Sequence, residues 1–187
     1  MNAPAATPTS TQPAPSQQAL AAALDNVAAV TLRGVALPAG VPGQLWLSAM
    51  PGRFEPFKRF LAEARQHRVS LVLCLAPMEE LATLSPAYRS AVAQGTLPFR
   101  WLNLPMRNFG LPPDLHDFHA GMAAAAQSLL AGESVLLHCA AGLGRTGSAA
   151  ACLLKALGLP TADALQRVRD AGSNPQTAQQ TGLVDRF

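Results

Sequence analysis

Apolar residues along the chain fall into two rhythms separated by polar punctuation. Short continuous or alternating runs predict strands at 27–32, 45–47, 69–75, 99–104 and 135–137. The run 69–75 is the most continuous and predicts a central strand. Between these runs the spacing changes to three and four. Residues 54–67 place Phe57, Phe60, Leu61 and Ala64 on one helical face. Residues 115–131 do the same for Leu115, Phe118, Met122, Ala126, Leu129 and Leu130, with Asp114 and Asp117 as an N-terminal capping pair and Gly132 closing the helix. Shorter helical pieces are predicted at 78–84 and 86–93. An apolar helix runs from Ser148 to the stop at Gly158-Leu159-Pro160. Thr161 is expected to cap a helix carrying Ala164, Leu165 and Val168, and Asn174 with Pro175 to open a last helix over 176–187. Strands alternating with helices predict an α/β fold: one domain, 19–187, with a central, mostly parallel sheet flanked by helices. Residues 20–24 read as a short helical turn. Residues 1–18 are Ala, Pro, Thr, Ser and Gln without apolar period, the composition of a disordered tail.

Composition narrows the function classes. The chain is 49% hydrophobic and 13% charged, enough apolar content to fill a core. Its net charge of +3 suits anionic substrates and is too small to argue for nucleic acid. Three cysteines, Cys74, Cys139 and Cys152, have no framework spacing, which points to a reducing, cytoplasmic compartment. No secretory leader pattern opens the sequence, and no apolar run is long enough to cross a membrane.

The chemistry concentrates in His138-Cys139-Ala140-Ala141-Gly142-Leu143-Gly144-Arg145-Thr146-Gly147. An apolar strand leads into this loop and a helix leaves it. The amides at the helix start have no intrahelical partner and sit at the positive end of the macrodipole, so the loop from Ala140 to Arg145 can cradle an oxyanion. The same field favours a thiolate on Cys139. Gly142 and Gly144 allow positive φ and a close backbone approach. The planar fork of Arg145 can hold two phosphate oxygens. The Thr146 hydroxyl can donate to the sulfur, Gly147 allows close packing, and His138 is expected to orient the loop through a backbone hydrogen bond. No Walker-type glycine–lysine loop occurs.

These positions resemble the HCxxGxxR[ST]G signature of cysteine-dependent protein phosphatases. The resemblance covers about residues 45–187 and is nearest the compact dual-specificity branch, the kinase-associated phosphatase group and its bacterial relatives. It implies a protein-tyrosine-phosphatase-like fold and hydrolysis of phosphate monoesters, phosphotyrosine and in some members phosphoserine or phosphothreonine, through a phosphocysteine on Cys139. Thr146 is implied to assist the sulfur, and the substrate-binding cradle to comprise Ala140, Ala141, Gly142, Leu143, Gly144 and Arg145. Gln176-Thr177-Ala178-Gln179-Gln180 resembles the Q-T-x-x-Q element, which assigns Gln176 to the hydrolytic water and Gln180 to the pocket wall.

The upstream loop departs from the family pattern. Relatives read P-x-x-D-F-G-x-P, the Asp being the general acid. This chain reads Pro105-Met106-Arg107-Asn108-Phe109-Gly110-Leu111-Pro112, so Asn108 holds the acid's place. A carboxamide does not act as an acid at ordinary pH. Three readings stay open: a protein phosphatase, a slow substrate-trapping module, and a phosphatase of a non-protein phosphate such as a phosphoinositide. Cys74, at a strand end on the rim that carries Cys139, is implied by resemblance to a related lipid phosphatase family to be a redox partner. The sequence leads us to expect a monomer acting on a phosphoprotein or phosphopeptide, with no nucleic acid, membrane, cofactor or metal. The cluster His116-Asp117-x-His119 offers too few and poorly convergent ligands for a metal and reads as a solvated or capped helix face.

Overall fold

The computed structural model describes residues 32–187. Expectations for residues 1–18, 20–24 and 27–31 lie outside the described residues. Five strands, β1 (Arg33–Val35), β2 (Gln44–Ser48), β3 (Val69–Cys74), β4 (Arg100–Asn103) and β5 (Ser134–His138), form one sheet in the order β1-β2-β5-β3-β4. β1 runs antiparallel to β2, and the other pairings are parallel. The described helices are α1 (Phe57–Gln66), α2 (Met78–Leu84), α3 (Pro86–Gln94), α4 (Leu115–Leu130), α5 (Gly144–Ala156), α6 (Thr161–Asp170) and α7 (Ala178–Arg186).

Period-two alternation splits the strand residues between two layers. Leu45, Leu47, Leu71, Leu73, Val135 and Leu137 pack in a core with residues of α4, α5, α6 and α7. Val72 and Leu136 face the other way and pack with Phe60 and Ala64 of α1, with Trp46 against them. β5 lies at the centre and is buried throughout, which explains its unbroken apolar run. A third cluster, Met50, Cys74, Ala76, Leu81, Tyr88 and Ala140, fills the space beyond the carboxyl ends of the strands. Ligands bind at that edge in open α/β sheets.

Several expected boundaries move, each for a local reason. The edge strand is Arg33–Val35, while Leu32 lies just before it and donates its N–H to Glu63. α1 begins after Pro56, which cannot donate to the helix ladder. Leu115 and Leu130 are exposed, while Phe118, Met122, Ala126 and Leu129 are buried as expected and Gly121, Ala125 and Ser128 join them in the buried stripe of α4. Gly121 belongs to it because Leu104 occupies the space a side chain would need. Asp114 does cap α4, its carboxylate accepting the Asp117 N–H at 3.0 Å, and Gly132 ends it at φ 84°. Thr161 is the first residue of α6 rather than its cap, with Pro160 before it. The last helix is capped not by Asn174 but by Thr177, whose hydroxyl accepts the Gln180 N–H at 3.2 Å.

Candidate active site

The loop 139–143 joins the buried end of β5 to the first residue of α5. The helix starts at Gly144, four residues earlier than its apolar run suggests, because Gly144 to Gly147 already follow the helical path: the Gly147 N–H donates to Leu143 O at 2.8 Å. Gly142 has φ 73° and lies against the Ser48 carbonyl, so only glycine fits. Its N–H donates to Cys139 Sγ at 3.2 Å. Its carbonyl points the opposite way and accepts from Arg33 Nη2 and from Ser173 Oγ, the latter at 2.7 Å. In a trans peptide the next N–H points opposite to that carbonyl, so these two donors turn the Leu143 amide toward the cradle.

Burial alone would raise the Cys139 pKa. The Thr146 side chain, the Arg145 charge and the N–H groups of Thr146 and Gly142 outweigh it, and the thiol ionises below its ordinary value. Thr146 Oγ1 is fully buried and has no partner within ordinary hydrogen-bond geometry, so it remains available to the sulfur. Cys74 and Cys152 show the contrast, since burial pushes each thiol up to about 12.

Arg145 is 3% exposed, and its five N–H donors can be counted. One from Nη1 and one from Nη2 go to the Glu80 carboxylate, both at 2.9 Å, and Nη1 also donates to Met106 O at 3.0 Å. This leaves Nε–H and the second Nη2–H, which share one edge of the guanidinium. That side-on edge is the fork left for a phosphate.

His138 is fully buried, and burial depresses its pKa to about 4, so the ring is neutral near pH 7. Nδ1 lies 3.2 Å from Cys139 O, and a carbonyl only accepts, so Nδ1 carries the proton. Nε2 therefore accepts from Tyr88 at 2.9 Å, and the Tyr88 oxygen in turn accepts from Trp101 Nε1 at 2.7 Å. This chain ties β4 and α3 to the start of the loop.

Cys139, Ala140, Ala141, Gly144, Arg145, Asn108 and Gln176 line one cavity of about 360 Å³, together with Arg53, Glu80, Leu84 and Phe109. Gly142 and Leu143 contribute backbone and lie outside that lining, as does Thr146 beneath the sulfur. The Gln176 carboxamide rests on Gly144, where a Cβ would strike it. Gln180 is buried instead of lining the pocket: its carbonyl accepts the Gln176 N–H at 2.8 Å and its amide donates to Gly110 O at 3.5 Å. The 105–112 loop is held at its base by Met106, whose N–H donates to Leu75 O at 3.0 Å. At its tip, Phe109 has φ 57° and its carbonyl accepts from Thr177 Oγ1 at 3.3 Å. Cys74 is buried at the end of β3, its thiol donating to Ala76 O at 3.5 Å, beside His138 in register. Asp114, His116 and Asp117 cluster on the exposed surface of α4 and its cap.

Five contributors escaped the sequence reading: Arg33, Arg53, Glu80, Tyr88 and Ser173. Glu80 alone had a local signal, as an acid in the first turn of a helix. The others meet the loop only through tertiary contacts.

Cys139, with the N–H groups of Gly142 and Thr146 at its sulfur, shares one cavity with Arg145, an arrangement consistent with a cysteine-based phosphatase site. Residues 41–182 match the family model described as PTP-SAK, Swiss Army Knife protein, DSP-PTPase phosphatase domain, and the chain belongs to that family of phosphatases. Its fold is similar to that of a kinase-associated phosphatase whose catalytic-site cysteine was replaced by serine, at 21% identity and TM-score 0.73 over 86% of this chain and 95% of that one. It is also similar to a human tyrosine phosphatase-like serine/threonine/tyrosine-interacting protein, at 21% identity and TM-score 0.62 over 83% and 93% of the two chains. A third similar structure is PTPMT1 in complex with PI(5)P, at 18% identity and TM-score 0.63 over 76% and 88%. No curated protein sequence matches the chain. Among the described residues, no helix is long and apolar enough to cross a membrane.

Proposed function

We propose that the protein hydrolyses phosphate monoesters of proteins, phosphotyrosine first, through a phosphocysteine on Cys139. The observation that carries this reading is that Cys139, whose thiol pKa is lowered, and Arg145, with two donors left unused by protein, line one cavity. The phosphate sits on the loop amides and the Arg145 fork. Cys139 attacks phosphorus, the ester oxygen leaves, and a water held by Gln176 then cleaves the P–S bond. Thr146 stabilises the sulfur as it departs. Leu84 and Phe109 supply apolar walls that suit an aryl ring. The protein works as a cytoplasmic monomer without a cofactor.

Asn108 lines the cavity at the acid's place, and it favours a second reading, a module that binds phospho-ligands and releases them slowly. A third substrate class, phosphoinositides, is raised by the similarity to PTPMT1 in complex with PI(5)P. Phosphotyrosine peptide, phosphoserine peptide and phosphoinositide, each given to the parent and to Asn108→Asp, separate the three. The leading reading expects phosphotyrosine turnover in the parent and a gain in Asn108→Asp of about tenfold or more, since proton donation is worth about 10²–10⁴. Exclusive turnover of the lipid would overturn it.

Cys74 serves as the redox partner in this reading. Peroxide converts the Cys139 thiolate to a sulfenic acid, and the Cys74 thiol condenses with it to a disulfide, releasing water. Burial keeps Cys74 protonated, so the condensation is slow. Peptide mapping after mild peroxide should find the 74–139 cross-link, and overoxidised Cys139 alone would refute it.

A further inference from the structure

The leaving-group side of the cavity combines two features that the hydrolysis of a serine or tyrosine ester leaves unexplained. The first is the absence of a proton donor. Asn108 is a carboxamide, and Glu80 is the one carboxylate lining the cavity among the described residues. Both Glu80 oxygens accept from Arg145 at 2.9 Å, so the carboxylate is engaged there and not directed at a leaving group. Asp114 is exposed, does not line the cavity, and spends its carboxylate on capping α4.

The second feature is a surplus cation. Arg53 lines the same cavity and is half-buried. Its guanidinium lies 4.5 Å from the centroid of the Phe54 ring and has no hydrogen bond or ion pair with any described residue. Glu55, the nearest acid in sequence, is turned away to accept the Gly52 N–H at 3.0 Å. Arg145, by contrast, has three of its five donors satisfied by protein.

A site with no acid and an unpaired guanidinium fits a leaving group that departs as an anion. We infer that the cavity also takes phosphoanhydrides: the terminal phosphate lies on the Cys139 loop and the next phosphate meets Arg53. This rests on the phosphocysteine chemistry proposed above and names a substrate class for it. A terminal phosphate ionises near about 6, far below the about 10 of a tyrosine phenol, so it leaves at neutral pH without being protonated. The Cys139 thiolate forms the S–P bond as the bridging P–O bond breaks, and the bridging oxygen leaves carrying the electron pair on the shortened phosphate chain. Water then attacks the phosphocysteine, the P–S bond breaks, Cys139 leaves as thiolate, and both water protons remain on the inorganic phosphate. Neither step needs a carboxylic acid in the protein.

The test measures initial phosphate release from inorganic tripolyphosphate, ATP, p-nitrophenyl phosphate and a phosphoserine peptide. Tripolyphosphate is expected to exceed the phosphoserine peptide in kcat/KM by about a hundredfold, the range that proton donation spans. Arg53→Glu should lower the ratio of tripolyphosphate to p-nitrophenyl phosphate kcat/KM by about tenfold or more, the worth of a charge-assisted contact, with Arg53→Lys falling between. Asn108→Asp should raise turnover of the peptide but not of tripolyphosphate. Equal rates on tripolyphosphate and ATP mean that the subsite reads phosphate alone, and faster ATP turnover that it also reads the nucleoside. Turnover of p-nitrophenyl phosphate without turnover of either anhydride overturns this inference and leaves the phosphatase reading standing. No turnover of any of the four overturns both. An Arg53→Glu variant with an unchanged ratio would remove Arg53 from the account.

Discussion

Replacing Tyr88 by Phe deletes one hydroxyl from the chain that runs from Trp101 through Tyr88 to His138 and Cys139 O. Tyr88 and His138 are both fully buried, so His138 Nε2 then has no partner and no access to water. Leaving a buried acceptor unsatisfied costs about 1–3 kcal/mol. Trp101 is half-buried and its N–H can turn to solvent, so the His138 side carries most of that cost. The same network should show in the pH dependence of the parent protein's stability. His138 binds its proton at about 4 when folded and near its ordinary value of 6.5 when unfolded. Between those values the unfolded chain holds more protons, so stability is present in full above about 6.5 and is lost as pH falls toward about 4. The difference corresponds to about 3 kcal/mol. Urea unfolding at a series of pH values measures both effects. The expected result is a loss of about 1–3 kcal/mol for Tyr88→Phe at pH 7.5, and an acid-side decline in the parent that largely disappears in His138→Gln. A Tyr88→Phe protein within a few tenths of a kcal/mol of the parent, or an identical acid decline in His138→Gln, would refute the reasoning.

Glu80→Gln keeps a hydrogen-bonding shape but removes the charge opposite buried Arg145, and should cost about 1–3 kcal/mol of stability and at least about tenfold in kcat/KM. Because Glu80 is partly exposed, the loss is expected below the full penalty for a buried pair; melting and steady-state kinetics read it. Gly144→Ala presses a methyl group into the Gln176 carboxamide, so release of the phosphoryl group should slow more than its transfer, visible as a burst of product in rapid-quench experiments. The rate of Cys139 alkylation against pH should show an inflection below the ordinary thiol value of 9.0, moving upward in Thr146→Val as the hydroxyl donor is lost.

The sequence told most where periodicity and burial coincide. The unbroken apolar run of β5 and the three-four spacing of α1 are dictated by layer packing; β5 extends one residue past its expected bounds at each end, and α1 starts three residues late, after Pro56. The ends of elements were less legible. Asn174 and Pro175 carry the local chemistry of a helix start, yet Gly147 packs so tightly against the Asn174 backbone that a Cβ there would lie only 2.6 Å from Asn174 N, and the helix opens only at Thr177. Cys139, Arg145, Asn108 and Gln176 were found because fixed spacing or a resemblance marks them, and the fold brings them into one cavity. Arg33 could not be found that way. It reaches the Gly142 carbonyl across 109 positions of sequence, and nothing in the residues around it signals that contact. The same holds for Tyr88, which reads locally as one more aromatic residue on a short helix.

The central claim is that Cys139 carries the phosphoryl group. Mixing the protein with p-nitrophenyl phosphate, quenching in acid within one turnover and mapping the peptides by mass spectrometry tests it directly. The account expects one phosphate on Cys139 of the parent, and neither adduct nor turnover in Cys139→Ser. Phosphate on another residue, or turnover by Cys139→Ser within tenfold of the parent, the rate scale set by about 1.4 kcal/mol of barrier, would contradict it.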